Sequence, residues 1–403
     1  MSNTIELKRK AKQNVEEILS SLIEVKNQIG ENPELGSEEY ESSKLLVDLL
    51  KKHDFKVEYP FAGMDTAFKA VYQKDSDGPI IAILAEYDAL PGVGHGCGHN
   101  IIGTAGVGAG IAVSKLMDEL KGEIWVIGTP AEEGHGPSGG AKVRMVKNGV
   151  FDDVDVSFMI HPMTGKTVVS ANFLAVKGIN LEFHGKTSHA AADPQEGVNA
   201  LNAAVLTYIA IHANRQQLRR DANAVIHGII KEGGLASNVI PDRAVLQFGV
   251  RSSDDTYIPT LIDMVEKSAR GSAMATGCTV EIQISQGLKS NIRNKPLEDL
   301  FLKLFKELDV KVEDITKSIM QPPGGSTDFA DVTHIVPGIH PMIGITNEDM
   351  AMHSTDFADV TITSSGDKGV EIGAKVMALA TVEILKKPEL LEVIKDYFNN
   401  HKI

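Results

Sequence analysis

Cysteine is almost absent. The 403 residues hold two, Cys97 and Cys278, far apart and in unlike surroundings. Two such thiols make no disulfide framework, which removes the small secreted scaffold class. No run approaches the roughly 18 apolar residues of a membrane span. The first residues, MSNTIELKRKAKQNVEEI, alternate charge and have no apolar stretch of the signal-peptide kind, so the cytosol is the expected location. Basic charge is also short: 40 Lys and Arg face 54 Asp and Glu, for a formal net charge of −14. A chain this acidic lacks the electrostatic footprint of a nucleic-acid binder. The acids are spread along the chain and read as solubility. No phosphate loop is present. Gly106, Gly108 and Gly110 begin a dinucleotide-like fingerprint, but position 111 is Ile, so a nucleotide-dependent enzyme is excluded and the glycines read as close helix packing.

What is present is an ordinary globular composition, 42% hydrophobic and 23% charged, in a chain long enough for two domains. Apolar residues at helical spacing over 4–28 predict a first helix, and 42–52 a second. AFKAVYQ alternates as a strand does. Three apolar runs follow, IIAILAEYDALP, EIWVIGTPAEE and VDVSFMIHP, each ending in residues capable of chemistry. Continuous apolar runs suit buried, parallel strands. In open α/β sheets the site lies at the carboxyl ends of the strands, so three such ends can converge.

From Val176 the texture changes. VKGINLEFHG, NAVIHGIIKEGG, RAVLQFGVRS and CTVEIQIS read as strands, with helices over 197–218 and 255–276. The order β-α-β-β-α-β is a ferredoxin-like unit. It precedes a further helix at 298–308, an expected sheet strand VPGIHPMIGI, and a last helix over 370–386 that closes the chain. The expected fold is a catalytic α/β domain with a mixed, mainly parallel sheet, residues 1–175 and 291–403. Residues 176–290 are an inserted α+β dimerisation or lid domain. An octapeptide, STDFADVT, occurs at 326–333 and again at 354–361; it is too short for a structural repeat and suits caps and loops.

Several of these ends carry candidate ligands. Cys97 and His99 form a C-x-H pair in the glycine-rich GHGCGHN turn; a thiolate and an imidazole two apart can reach one metal cluster, or the pair is a buried loop cysteine beside a surface histidine. Glu132 and Glu133 end an apolar run, where paired acids need a cation unless the loop is exposed. His161 closes the third run and His353 lies in AMHSTDF. A lone histidine is commonly structural, but all these residues fall at strand ends or loops of one expected domain. His95 and His135 flank these positions and are candidates to touch substrate. His53, His184, His212, His227, His334, His340 and His401 read as structural, with His340 nearest a sheet end, and Cys278 reads as core.

AEYDALP, GHGCGHN, TPAEEG, MIHP, GKTSHAA, SNVIPD, GSTDFAD and MHSTDF, in this order, resemble the family-twenty metallopeptidases, a family of aminoacylases, carboxypeptidases and dipeptidases, and NPELGSEE near the start fits as well. The C-x-H pair resembles the amidohydrolase branch, and EYDALPGVGHGCGHN its aminoacylase-like dipeptidases, which cut β-alanyl or aminoacyl bonds to basic residues. The resemblance implies Cys97, His99, Glu133, His161 and His353 as ligands of two divalent ions, zinc or manganese. It implies Glu132 as general base, Asp88 as the acid that orients the site, and His189 as oxyanion donor from the partner subunit of a homodimer. Asn238 and Arg251 are implied as substrate-binding residues. Two departures stand out: Glu86 occupies a position where most members have histidine, and Asn100 replaces a more usual aspartate. The implied activity is hydrolysis of an amide bond in dipeptides or N-acyl amino acids. The alternatives are a broader endo- or carboxypeptidase, and a non-catalytic metal-stabilised binding protein, which would have no need of Glu132.

Overall fold

The computed structural model describes residues 2–75, 77–313, 325–348 and 350–402. In chain order the helices are α1 (Ser2–Glu31), α2 (Tyr40–Lys51), α3 (His99–Ser114), α4 (Ala141–Lys147), α5 (Ala200–Asn214), α6 (Ile258–Thr276), α7 (Lys295–Glu307), α8 (Phe329–Val332), α9 (Thr355–Thr361), α10 (Ser364–Lys386) and α11 (Pro388–His401). The strands are β1 (Lys56–Glu58), β2 (Phe68–Asp75), β3 (Ile80–Ala85), β4 (Gly122–Gly128), β5 (Val156–Phe158), β6 (His161–Thr164), β7 (Ala175–His184), β8 (Val225–Glu232), β9 (Arg243–Ser252), β10 (Thr279–Ile284), β11 (Gly338–Ile339) and β12 (Met342–Thr346). Among the described residues no helix is long and apolar enough to cross a membrane.

The chain divides into two compact units. The first comprises residues 1–171, 292–321 and 328–403. Its sheet has the order β1-β2-β4-β3-β5-β11. The pairs β4–β3, β3–β5 and β5–β11 are parallel, and β1–β2 and β2–β4 are antiparallel. This is the mixed, mainly parallel sheet expected. β3 is buried along almost its whole length, which is why its sequence is continuously apolar rather than alternating. Helix α3 is buried at every position. It can lie this close because a Cβ on Gly106 would stand 2.9 Å from Leu84 O, and one on Gly110 2.4 Å from Val126 Cγ2. The three glycines of that stretch are packing residues.

The second unit comprises residues 172–291 and 322–327 and has its own apolar core, with Leu181, Phe183, Leu246, Val250, Leu261 and Val265 buried in it. Its four strands are antiparallel in the order β10-β7-β9-β8, with α5 and α6 in the β-α-β-β-α-β sequence. This is the ferredoxin-like order.

Two elements differ from expectation. VPGIHPMIGI is two strands in two sheets: β11 pairs with β5, and β12 pairs with β6. Pro341 lies at the break, where it has no N–H to give a ladder. The chain also continues past the helix expected to be last. Pro388 opens α11, which buries Ile394 and Phe398.

Candidate metal centre and active site

The parallel strands β4, β3, β5 and β11 run the same way, so their carboxyl ends lie along one edge of the first unit. β3 delivers Glu86 and Asp88, β4 leads to Glu132 and Glu133, β5 to His161, and β11 to His340. The GHGCGHN turn brings Cys97 and His99 to the same edge. Gly98, at φ 78°, is the residue before α3, and a Cβ there would stand 2.4 Å from Pro162 Cγ. Glycine is needed twice over, for the left-handed backbone and for room.

The donors converge. Cys97 Sγ lies 3.3 Å from His161 Nε2 and 3.3 Å from His353 Nε2. His353 Nε2 is 3.5 Å from Glu133 Oε1. Cys97, His99 and His161 form one set of mutually close donors, Cys97, Glu133 and His353 a second, and His99, Glu132 and Glu133 a third. Donors sharing a tetrahedral zinc at about 2.0–2.3 Å stand roughly 3.3–3.7 Å apart.

The residues present fit divalent cations on three further observations. His99 Nδ1 lies 2.7 Å from Asp88 Oδ1, so it donates its proton there and leaves Nε2 as the lone-pair nitrogen. His161 Nδ1 donates in the same way to Pro162 O at 2.6 Å. A second partner that fixes the tautomer is the usual surrounding of a ligating histidine. Finally, His99 Nε2 and Glu133 Oε1 are buried with no hydrogen bond of normal geometry. Such atoms are costly unless a cation meets them.

Electrostatics say the same. Burial pushes the Cys97 thiol up to about 12 and His161 down to about 4. Burial disfavours the His99 cation too, but Asp88 and Cys97 raise its pKa well above the ordinary value. Glu132 is raised well above the carboxylate range by burial and by the charges of Glu86 and Asp328. Cys97, His161 and Glu132 resist their charged forms, whereas His99 is held cationic by Asp88 and Cys97; a bound cation would take over that positive charge and favour the thiolate and carboxylate.

Asp88 also accepts from Glu133 N at 3.0 Å through its other oxygen, so one carboxylate fixes a histidine and the backbone of the acid pair. Residue 131, just before that pair, is Ala at φ 53°. Its N–H is held by Glu39 Oε1 at 2.8 Å, and Glu39 Oε2 accepts from Thr66 Oγ1. Burial pushes Glu39 up to about 7. His353 is likewise left-handed, at φ 62°, and its N–H donates to Gly96 O at 2.8 Å. Left-handed non-glycine residues at two ends of one donor cluster are strain held at a site.

Sequence reasoning passed over three residues here. Lys142 is fully buried, with Nζ 2.6 Å from Glu86 Oε1 and 2.5 Å from Asp328 Oδ1. Burial disfavours its ammonium, yet Asp328, Glu86 and Glu132 raise its pKa above the usual lysine value. Nothing local distinguishes it from Lys147 on the same helix. Asp328, from the first STDFADVT, also accepts from Lys142 N at 3.1 Å and so caps α4, whose preceding residue Gly140 has no side chain to do so. His340 is buried with its ring 5.6 Å from that of His161, and burial holds its pKa well below the ordinary value. Of the two flanking histidines, His95 is buried, and burial keeps it neutral by pushing its pKa down to about 3. His135 is exposed. Asn100 does not touch the donors: its Nδ2 donates to Thr361 Oγ1 at 3.1 Å and to Lys26 O, a donor role that aspartate cannot take.

The remaining expected residues lie in the second unit. His189 is exposed, and its Nδ1 accepts from Ala191 N at 3.2 Å and Ala192 N at 3.1 Å, so in the neutral ring Nε2 carries the proton. Asn238 is held beside it through the backbone, with Ala190 N donating to Asn238 O at 2.9 Å. Arg251 is elsewhere, on β9, where Nη1 donates to Ser326 Oγ at 3.1 Å.

Residues 82–380 match the model of peptidase family M20/M25/M40. A curated relative from Mus musculus, named Xaa-Arg dipeptidase, is 34% identical over 97% of this chain and 92% of its own length. Among solved structures, a dinuclear metal-binding peptidase of the M20 family from Bacillus subtilis aligns with a TM-score of 0.69 at 22% identity, covering 91% of this chain and 99% of that one. An aminobenzoyl-glutamate utilization protein from Klebsiella pneumoniae aligns with a TM-score of 0.71 at 19% identity, covering 92% and 98%. With a family match over most of its length, full-length similarity to a curated dipeptidase and the same fold as an M20 peptidase, the chain belongs to peptidase family M20/M25/M40.

Proposed function

We propose that the protein is a two-metal dipeptidase that hydrolyses an amide bond in a small dipeptide or N-acyl amino acid. The observation that carries this is the convergence of Cys97, His99, Glu133, His161 and His353 with a second acid, Glu132, beside them. The family chemistry is hydrolysis of C–N bonds. The donor set suits zinc through the thiolate, and manganese through carboxylate and imidazole. Two such ions would polarise the scissile carbonyl and lower the pKa of a bound water from ~15.7 toward ~7.

This chain's residues do the rest. Asp88 holds His99 in the tautomer that offers Nε2. Glu132 takes the proton of the attacking water and returns it to the leaving nitrogen. His189 presents Nε2–H toward the carbonyl oxygen as it gains negative charge. Asn238, in the turn between β8 and β9, and Arg251 are the substrate-binding candidates. A dipeptide with a basic C-terminal residue is the first substrate to try, since the mouse relative is named for Arg at that place.

A homodimer is part of this reading. β8 is an edge strand, and Val225, Ile229 and Ile230 on it are exposed, as are Leu206 and Ile209 on α5. An apolar edge of this kind invites pairing with a second copy, from which His189 would serve the other subunit's metals. The expected inserted-domain boundaries, 176–290, give this pairing surface to that domain. Free cysteines, one in the donor set, fit a reducing compartment such as the cytosol. The direct test is a panel of dipeptides and N-acyl amino acids assayed with added zinc or manganese. Turnover of X-Arg and X-Lys above the acyl amino acids supports the reading, and no amide turnover with either metal refutes it.

A further inference from the structure

Beside the donor cluster lies a second group of acids. Glu86, Glu132 and Asp328 each bring one carboxylate oxygen within 4.8 Å of the others. Glu86 and Asp328 are buried. Three carboxylates so placed, away from water, are the donor type and spacing that a hard divalent ion takes. The side chain found there is Lys142, whose ammonium contacts Glu86 at 2.6 Å and Asp328 at 2.5 Å.

We propose that Lys142 is a positioning residue whose ammonium fills, as a built-in cation, a place that Glu86, Glu132 and Asp328 would otherwise offer to a divalent ion. It thereby confines metal to Cys97, His99, Glu133, His161 and His353. A lysine head is a compact point charge with three donors, and it can meet carboxylates as an ion does. It cannot swing away: Lys142 N donates to Asp328 Oδ2 at 3.1 Å, so the residue is gripped by one carboxylate at both its backbone and its tip. Full burial leaves no water to replace it. Glu86 is also the link between the two groups, since its Oε2 lies 3.6 Å from His99 Nε2. Held by Lys142, Glu86 is kept from acting as a ligand.

The inference rests on the proposed metal pocket for its reference count. The experiment compares full-length wild type, Lys142→Met and Lys142→Met/Glu86→Gln, each loaded with manganese, desalted and counted for metal by mass spectrometry, with circular dichroism to follow folding. The expected result is one more ion per chain in Lys142→Met than in wild type, and the wild-type number in the double variant. A wild-type count of zero speaks against the metal pocket itself, whereas the difference between proteins tests the role of Lys142. Lys142→Met at or below the wild-type count overturns the inference, whether it is folded or fails to fold with and without manganese. An extra ion that persists in the double variant overturns it too, because the carboxylates would then not be what holds it.

Discussion

Glu132 and Glu133 are consecutive and share His99 as a neighbour, yet their other neighbours differ: Glu133 Oε1 faces His353 Nε2 at 3.5 Å, while Glu132 joins Glu86 and Asp328. The two acids therefore have separable roles. Glu132→Gln keeps the side chain's shape and removes the proposed base. It is expected to retain the wild-type metal content and lose ~10²–10⁴-fold in kcat. Glu133→Gln is expected to lose metal. If the metal loss follows position 132 instead, the roles are exchanged.

Purified without chelator, the protein is expected to carry up to two divalent ions per chain. Chelation should abolish amide hydrolysis, and zinc or manganese should restore it. It should also lower the melting temperature, because the buried donors His99 and Glu133 lose what satisfies them. Full activity in a metal-free sample, checked by elemental analysis, would rule out the metalloenzyme reading.

Mixing two inactive variants tests the shared site. Where His189 acts across a dimer, heterodimers of Glu132→Gln and His189→Ala contain one site with both defects and one with neither. Activity is expected to reappear on subunit exchange, up to about half per heterodimer by symmetry. Exchange proven by mass spectrometry without recovered activity would place His189 in its own subunit's chemistry or outside catalysis.

Away from the site, Glu383 is buried beside Lys8 at 2.8 Å, Lys303 at 3.3 Å and Lys387. Burial alone would raise its pKa, but Lys387 and Lys8 hold it down at about 2. Because the folded value lies below the unfolded one, the folded state binds fewer protons. The contribution is complete above the unfolded pKa of about 4.3 and is lost as pH falls through 2. Glu383→Gln is expected to cost about 3 kcal/mol at pH 7, since it strands the lysines. Urea titrations of chelated protein from pH 7 to 3.5 should show that gap narrowing below about pH 4.3. A gap that stays constant would mean that the charge is not what stabilises.

The catalytic strands were legible because burial on both faces leaves an uninterrupted apolar signal, as in IIAILA, and because polar residues at strand ends stand out against it. The second unit was legible from its alternation of strand and helix texture. Lys142 was not, because its meaning is pairwise: the partners sit at positions 86 and 328, and no local pattern joins them. His340 read as structural for the same reason, its neighbours His161 and Phe329 being distant in the chain. The split of VPGIHPMIGI was hidden by its steady hydrophobicity, although Pro341 was the available sign. Glu39 closes the NPELGSEE motif, but its grip on Ala131 N could not be read from spacing.

The two copies of STDFADVT amount to a control experiment written into the chain. In one, Asp328 is buried against Lys142; in the other, Asp356 is exposed in the first turn of α9, which Ser354 caps by accepting from Phe357 N. The local string is the same, so helix preference and unfolded-chain behaviour are close to equal at the two sites. Asp→Asn at 328 and at 356 changes the same atoms in the same octapeptide. The difference between their stability costs therefore reads the two folded environments, helix position included, with the unfolded-chain terms cancelled by the protein's own duplication.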